Sequence, residues 1–479
     1  MKVLFTHSYF LQFDPKQVAH AQPYPPLGTI LAAALLREHN FSVQLFDTMF
    51  AHSPDEITNA LNTFKPDVLV VYDDGFNYLT KMCLSNMREA AFKMQQLARQ
   101  QGCRVIMTSS DAADHYEKYL NHGADFVIIG EAEHTLLDLA KALQQNKADL
   151  SNIFGLAFYT NGRLVKTAKR AISKKLDELP LPAWDLVDIT PYKKVWLSKH
   201  GYFSINVATT RGCPYKCNWC AKPMYGDAYN MRSPQHVVNE LNYLKEKFSF
   251  DHIWFCDDIF GLKRSWVTEF ASLVNKQQLK FRYKIQSRAD LLVQERYVED
   301  LAASGCDEVW MGAESGSQKI LDAMDKGTTI EQIKTARELL KRYRIKAAFF
   351  LQFGYPGETM SDIQKTITLV KDTMPDDLGI SVSYPLPGTP FYENVKSQLS
   401  HKTNWTDSDE LALLFRNTYP PAFYKILHRL VHSAYRKRKA SRSLLDRNTA
   451  LKKLRAIAGF VKYTLAEAVQ SYQLKLNQR

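Results

Sequence analysis

Short apolar runs alternate with stretches of helical apolar spacing through the first 150 residues. Lys2–Thr6, Ser42–Phe46, Asp67–Tyr72, Arg104–Thr108 and Asp125–Ile129 read as strands. Leu27–Glu38, Pro54–Thr63, Thr80–Gln101, Ala113–His122 and Glu133–Gln144 read as the helices between and after them. Strands separated by helices predict an α/β fold with a doubly wound parallel sheet. Ligands bind such a sheet outside the carboxyl ends of its strands. The loops to watch therefore begin at His7, Asp73, Ser109 and Gly130. None carries a GxGxxG or Walker pattern, so a dinucleotide or nucleoside triphosphate is not supported there.

Asn161-Gly162, between alternating apolar residues of 154–167, predicts a hairpin. A linker follows through Leu179-Pro180-Leu181-Pro182. From about residue 203 the strand–helix rhythm restarts. Strands are expected at Ser204–Ala208, Ile253–Cys256, Tyr283–Gln286, Glu308–Gly312, Ala347–Gln352 and Gly379–Ser383. Helices are expected near Gln235–Lys247, Ser265–Asn275, Val293–Ala303, Gln318–Met324, Ile330–Arg342 and Ser361–Lys371. Six such units are too few for an eight-fold barrel and suit a partial (β/α)6 barrel, open on one side. Residues 396–479 read as helical, with Ala422–His432 and Ala450–Leu474 separated by Arg436-Lys437-Arg438-Lys439. The expected boundaries are 1–150, 151–200, 201–395 and 396–479.

Charge sharpens this division. The 479-residue chain has a net charge of +12. Residues 396–479 hold 17 Lys+Arg and 5 Asp+Glu, whereas residues 1–395 hold 45 of each. The excess thus belongs to an appended basic element on a neutral body. A solvated helical face, a patch for an anionic membrane surface (peripheral membrane contact), and a nucleic-acid patch are its three readings. Nucleic acid ranks last because no RNA-binding module accompanies it. No apolar stretch approaches the length of a membrane span. Seven cysteines without framework spacing fit a reducing cytoplasm. Cys83, Cys103, Cys256 and Cys306 stand singly and read as small buried hydrophobes.

The chemistry concentrates in Thr-Thr-Arg-Gly-Cys-Pro-Tyr-Lys-Cys-Asn-Trp-Cys-Ala-Lys-Pro, which holds Cys213, Cys217 and Cys220 spaced C-x3-C-x2-C. A structural zinc site wants a closed set of four ligands, and no second CxxC pair exists. His200 or His236 would have to complete it alone. Three cysteines leave one over for disulfides. Clustering beside Gly212, Pro214 and Pro223 argues against mere packing. Three thiolates can instead hold three irons of a [4Fe-4S] cluster, leaving the fourth iron open. The loop follows the first strand of the second half, at the rim where barrel enzymes keep their chemistry.

This segment resembles the signature of radical S-adenosylmethionine (radical SAM) enzymes. Five strand-end blocks extend the resemblance: Phe255-Cys256-Asp257-Asp258, Ser287-Arg288-Ala289-Asp290, Gly312-Ala313-Glu314-Ser315-Gly316-Ser317, Phe353-Gly354-Tyr355-Pro356-Gly357-Glu358-Thr359 and Ser383-Tyr384-Pro385-Leu386-Pro387-Gly388-Thr389-Pro390. It implies a radical SAM enzyme that binds S-adenosyl-L-methionine and forms a 5′-deoxyadenosyl radical. By the same resemblance Trp219 packs on adenine, Arg288 meets the methionyl carboxylate and Glu314 the ribose hydroxyls. Asp257 would orient the cofactor amine or touch substrate. Gly354 and Gly357 would let backbone approach the ligand.

The first half resembles the Rossmann-like cobalamin-binding domain that precedes some radical SAM barrels. The resemblance rests on Tyr24-Pro25-Pro26-Leu27-Gly28, Val43-Gln44-Leu45-Phe46-Asp47 and Gly123-Ala124-Asp125-Phe126-Val127-Ile128-Ile129-Gly130-Glu131-Ala132-Glu133. Ser109 and Gly130 are the expected cofactor-binding positions there. The DxHxxG motif of some cobalamin proteins is absent, so cobalamin would sit without a protein histidine on cobalt. The resemblance implies a cobalamin-dependent C-methyltransferase acting on an unactivated carbon of a small molecule. It also implies a flavodoxin- or ferredoxin-type one-electron reductant. An oxidative cyclase of tetrapyrrole type, a radical tRNA-modifying enzyme and a non-catalytic Fe–S redox sensor are the alternatives.

Overall fold

The computed structural model describes all residues except 74, 77–83, 221–223, 446–449 and 478–479, together with the side chains of 445, 450 and 451. Cys83, Pro223 and the start of the expected Thr80–Gln101 helix lie outside the described residues.

The first sheet comprises β1 (Lys2–Thr6), β2 (Ser42–Phe46), β3 (Val68–Tyr72), β4 (Arg104–Thr108), β5 (Phe126–Ile128), β6 (Leu156–Thr160) and β7 (Arg163–Lys166), in the order β2-β1-β3-β4-β5-β6-β7. The first five strands run parallel. Val68–Tyr72 is apolar and buried at every position, as a central parallel strand covered on both faces requires. The hairpin expected in the linker joins this sheet instead, because β6 pairs antiparallel with β5. Its turn residues Asn161 and Gly162 have φ of 49° and 72°, the left-handed values a two-residue hairpin demands. The helix Leu27–Glu38 is as expected; Ala113–His122 is two short helices, Ser110–Asp114 and Tyr116–Asn121, and the second long helix begins at Ser85.

The second sheet holds β8 (Ser204–Val207), β11 (His252–Phe255), β12 (Arg282–Ser287), β13 (Cys306–Glu314), β14 (Lys346–Phe353) and β15 (Asp377–Val382). These six strands are parallel and ordered as in the chain. A ribbon of β9 (Thr210–Arg211) and β10 (Asn230–Met231) stands at its carboxyl end. The loop Gln22–Pro26 of the first half packs on the barrel strands. Trp196 Nε1 donates to the Pro23 carbonyl at 2.8 Å, and Asn206 Nδ2 to that of Pro25 at 3.0 Å.

Two expectations for the C-terminal segment change. Residues 399–420 are mostly irregular and strap onto both halves: Trp405 is buried, its carbonyl accepts from Ser85 N at 2.8 Å, and Ser408 Oγ donates to Asp14 at 2.8 Å. Asn404, the acidic run Asp407–Glu410 and Pro420 disfavour helix there. The basic run Arg436–Lys439 does not separate two helices. It lies inside one, Pro421–Leu445, because arginine and lysine are good helix formers on an exposed face. The second helix is Ala450–Leu476.

Candidate functional site

The cysteine loop is built from its entry outward. The end of β8 passes into β9, where Asp257 at the end of β11 holds the chain. Its carboxylate accepts Thr209 N at 2.7 Å, Thr210 N at 2.9 Å and Thr209 Oγ1 at 2.5 Å. Burial pushes Asp257 up to about 6 while the threonine bonds pull it down. Asp257 thus anchors the loop's entry, with both oxygens engaged by Thr209 and Thr210. Antiparallel pairing of Arg211 with Asn230 and Thr210 with Met231 then closes the loop. At Gly212 φ is +82°, and a Cβ would sit 2.1 Å from the Ala228 carbonyl oxygen. Only glycine fits there.

Arg211 faces the first half. Its guanidinium bonds Glu131 and, at 2.6 Å, Glu133, with all three side chains at most 4 % exposed. Burial lowers the Arg211 pKa, yet the two carboxylates and nearby tyrosines raise it well above the ordinary value. Glu131 is itself raised, chiefly by burial. The loop that opens at Gly130 and the loop that carries the cysteines are therefore riveted together.

Cys213 and Cys217 are buried and Cys220 is half-buried. Cys220 N donates to the Cys217 carbonyl at 3.2 Å, a tight turn. Among the described residues, no three His, Cys, Asp or Glu side chains already converge on one metal-ion point. Asn218, between the second and third cysteines, fastens the loop to three other segments. It donates from N to the Met324 carbonyl at 3.1 Å and from Nδ2 to Asp325 at 2.9 Å. It also accepts Tyr355 OH at 2.8 Å and Phe391 N at 3.0 Å.

Two cations border Cys217. Arg288 Nη1 lies 3.6 Å from its sulfur, its guanidinium covers the Tyr215 ring at 3.6 Å, and its Nη2 donates to the Lys326 carbonyl at 2.7 Å. Lys326 Nζ donates to Glu314 at 2.7 Å and stands 5.9 Å from the Trp219 ring centre. Burial lowers the Lys326 pKa, but Glu314 and Cys217 raise it overall. Glu314 thus shares its carboxylate with a lysine that the strand-end motifs did not mark. Trp219 Nε1 and Thr328 Oγ1 are buried there without a hydrogen-bond partner. Three thiols in one loop, two cations beside them and two unpartnered donors fit an anionic Fe–S cluster and its ligand.

The two expected glycines part company. A Cβ at Gly354 would meet Leu413 at 2.9 Å and the Tyr424 ring at 3.1 Å, so the C-terminal segment packs against this glycine. Gly357 has open space where a Cβ would stand. Beside them Glu358 accepts Gly354 N at 2.7 Å, and burial pushes it up to about 8.

At the first sheet, Ser109 caps the helix Ser110–Asp114 by accepting Ala112 N at 2.8 Å. Gly130 has φ of +89° and open space around it. Thr108 Oγ1, next to Ser109, is buried without a partner. A narrow gap of about 20 Å³ lies between these strand ends and the barrel, lined by His7, Tyr9, Tyr24, Asn206, Trp254 and Cys256 among others. Tyr9 OH and Asn206 Oδ1 at this gap have no partner. Open backbone at Gly130 and unsatisfied polar groups at Thr108, Tyr9 and Asn206 fit a polar ligand against this sheet. Arg211, Asn218 and Lys326 escaped sequence reading; Arg211 alone had a visible sign, a charged residue between the first strand and Cys213.

Residues 207–370 match the family model of the radical SAM superfamily. An uncharacterised methyltransferase of Pyrococcus horikoshii is 26% identical over 80% of this chain and 81% of its own length. The anaerobic magnesium-protoporphyrin IX monomethyl ester cyclase of Rubrivivax gelatinosus is 24% identical over 82% of this chain and 70% of its own. In structure, the cobalamin-dependent S-adenosylmethionine radical enzyme OxsB, with aqua-cobalamin bound, superposes with a TM-score of 0.75. That likeness covers 98% of this chain and 72% of OxsB at 17% identity, and shows a shared fold. With the cysteine loop at the barrel's carboxyl end and a doubly wound domain riveted to it, residues 207–370 form a radical SAM domain, and the chain as a whole shares the fold of OxsB.

Proposed function

We propose that this enzyme is a cobalamin-dependent C-methyltransferase acting on an unactivated carbon of a small molecule. The observation that carries the reading is the buried Arg211 bridge to Glu131 and Glu133. It fixes the cysteine loop against the ligand-binding end of the first sheet, as two cofactors working on one substrate require. The Pyrococcus relative, a methyltransferase by name, supports methyl transfer. The second reading is oxidative cyclisation, favoured by the match to the Rubrivivax cyclase.

When bound, the cluster with S-adenosylmethionine supplies radical generation and cobalamin supplies the methyl group. The chain's own part is binding, orientation and charge. Cys213, Cys217 and Cys220 would ligate the cluster. Arg288 and Lys326 would offset its negative charge and that of the methionyl carboxylate. Trp219, Glu314 and Gly357 would hold the nucleoside. Ser109, Gly130 and the neighbouring Thr108 would hold cobalamin. An external one-electron reductant of flavodoxin or ferredoxin type would serve it in a reducing cytoplasm. No described helix is long and apolar enough to cross a membrane.

Anaerobic reconstitution with iron, sulfide and hydroxocobalamin tests this. About four irons per chain are expected, lost when the three cysteines become alanine. Cobalamin should stay bound through desalting, visible in the absorption spectrum. Reductant and S-adenosylmethionine should yield 5′-deoxyadenosine together with S-adenosylhomocysteine. 5′-Deoxyadenosine without S-adenosylhomocysteine would favour the cyclase. Absence of both would leave a sensor, and zinc in place of iron would end the radical reading.

A further inference from the structure

The helix Ala450–Leu476 lies along Pro421–Leu445, with Ala456 and Leu474 buried. Glu467 accepts from Lys437 at 2.9 Å and from Lys371 of the barrel helix Met360–Thr373 at 3.2 Å. Tyr435 OH donates to the Pro375 carbonyl at 2.8 Å. The helical pair is thus fixed to the barrel.

The opposite face of Ala450–Leu476 is apolar and bare. Leu454, Ile457, Val461, Leu465, Val469, Tyr472 and Leu476 are each 50–65% exposed. Their spacing of three or four residues keeps them in one line, about 33 Å long at 1.5 Å per residue. Single exposed leucines are ordinary, but a continuous stripe marks a contact surface. Exposed Lys453, Arg455, Lys462 and Lys475 flank it. Residues 421–479 hold 14 Lys+Arg and 2 Asp+Glu, equal to the whole net charge of the chain. Of the two acids, Glu467 is taken by lysines, and Asp446 lies outside the described residues.

We propose that this face docks on an anionic lipid bilayer. The helix would lie in the plane of the interface, its stripe in the acyl boundary and its lysines and arginines on the headgroups. A second copy of the chain fits worse, because it would set one basic rim against another without a carboxylate to answer it. A nucleic acid would answer the charge but leave seven apolar side chains uncovered. The proposal is independent of which reaction the enzyme catalyses.

The test is co-sedimentation of the full chain with phosphatidylcholine vesicles, with or without phosphatidylglycerol. Binding should be at least about tenfold tighter with phosphatidylglycerol and should weaken as salt shortens the Debye length. Val461→Glu with Leu465→Glu should cut that binding at least about tenfold, with 5′-deoxyadenosine formation and the circular dichroism spectrum unchanged. Lys453→Gln with Lys462→Gln should weaken it without touching the stripe, which keeps the test open should the first pair misfold. No binding to phosphatidylglycerol vesicles, or equal binding to both kinds, overturns the proposal. So does a dimer in light scattering that Val461→Glu with Leu465→Glu converts to monomer.

Discussion

Replacing Arg211 by methionine removes, among the described residues, the cation that pairs with both Glu131 and Glu133, which are nearly inaccessible. Methionine keeps much of the packing near Tyr225 and Phe76, whose ring centres lie 5.1 and 5.9 Å from the guanidinium carbon. What changes is charge. Breaking a buried pair by deleting one partner costs about 3–5 kcal/mol, because the other charge stays buried and uncompensated. Two stranded carboxylates place Arg211→Met at the upper end, about 5 kcal/mol. Adding Glu131→Gln and Glu133→Gln removes the stranded charges and should recover most of the loss. The deficit should also depend on pH. Burial already raises Glu131 and Arg211 opposes that rise, so without Arg211 its folded pKa climbs further above the unfolded value. A group shifted in that direction loses stability as pH rises between the two values, so the deficit should be larger at about pH 8 than at about pH 6. Equilibrium urea unfolding of the single and triple variants at both pH values measures all three effects. A loss under about 1 kcal/mol, the range of an exposed pair, would refute the reasoning. A triple variant no more stable than Arg211→Met would refute it equally.

Gly212→Ala should collapse the cysteine loop, since the new Cβ meets the Ala228 carbonyl at 2.1 Å and φ is +82°; reconstituted iron should fall with Cys213–Cys220 all intact, and near-normal iron content would contradict this. Glu358→Gln should flatten the pH profile of stability. Its carboxyl, pushed up to about 8 by burial, holds its proton in the fold and costs stability progressively as pH rises from its unfolded value towards 8. The variant should therefore gain thermal midpoint over wild type near pH 8 and little near pH 5, and an equal shift at both would speak against a buried neutral acid.

Much of the fold was legible because its strands are short, largely apolar runs and its helices periodic. Lys2–Thr6, Leu27–Glu38 and Ile330–Arg342 stand where the pattern put them. The errors fall where pattern and tertiary context compete. The Asn161-Gly162 hairpin was plain, but only the free edge of β5 made it part of the first sheet. Residues 399–420 carry apolar side chains that read as helical yet serve as anchors: Trp405 is spent on a buried strap, not on a helix face. At the site, the cysteine spacing and the strand-end blocks named the chemistry. The clamps Asn218 and Lys326 were illegible, and Arg211 showed only as a charged residue before Cys213, since each acts through a partner 106, 12 or 78 residues away.

By itself the sequence determined the repeated strand–helix units, the cysteine triad and the confinement of net charge to the C-terminal segment. These are local properties: periodicity, spacing and composition are written in neighbouring residues. Tertiary structure alone decided that Asp257 holds the loop and that the C-terminal segment occupies the space beside Gly354. It also decided that Glu314 is shared with Lys326 and that one apolar face of the last helix is left bare. Each depends on which group fills a given space first, and burial, which sets the cost of leaving a charge or a methyl group unmatched, exists only once the chain has folded.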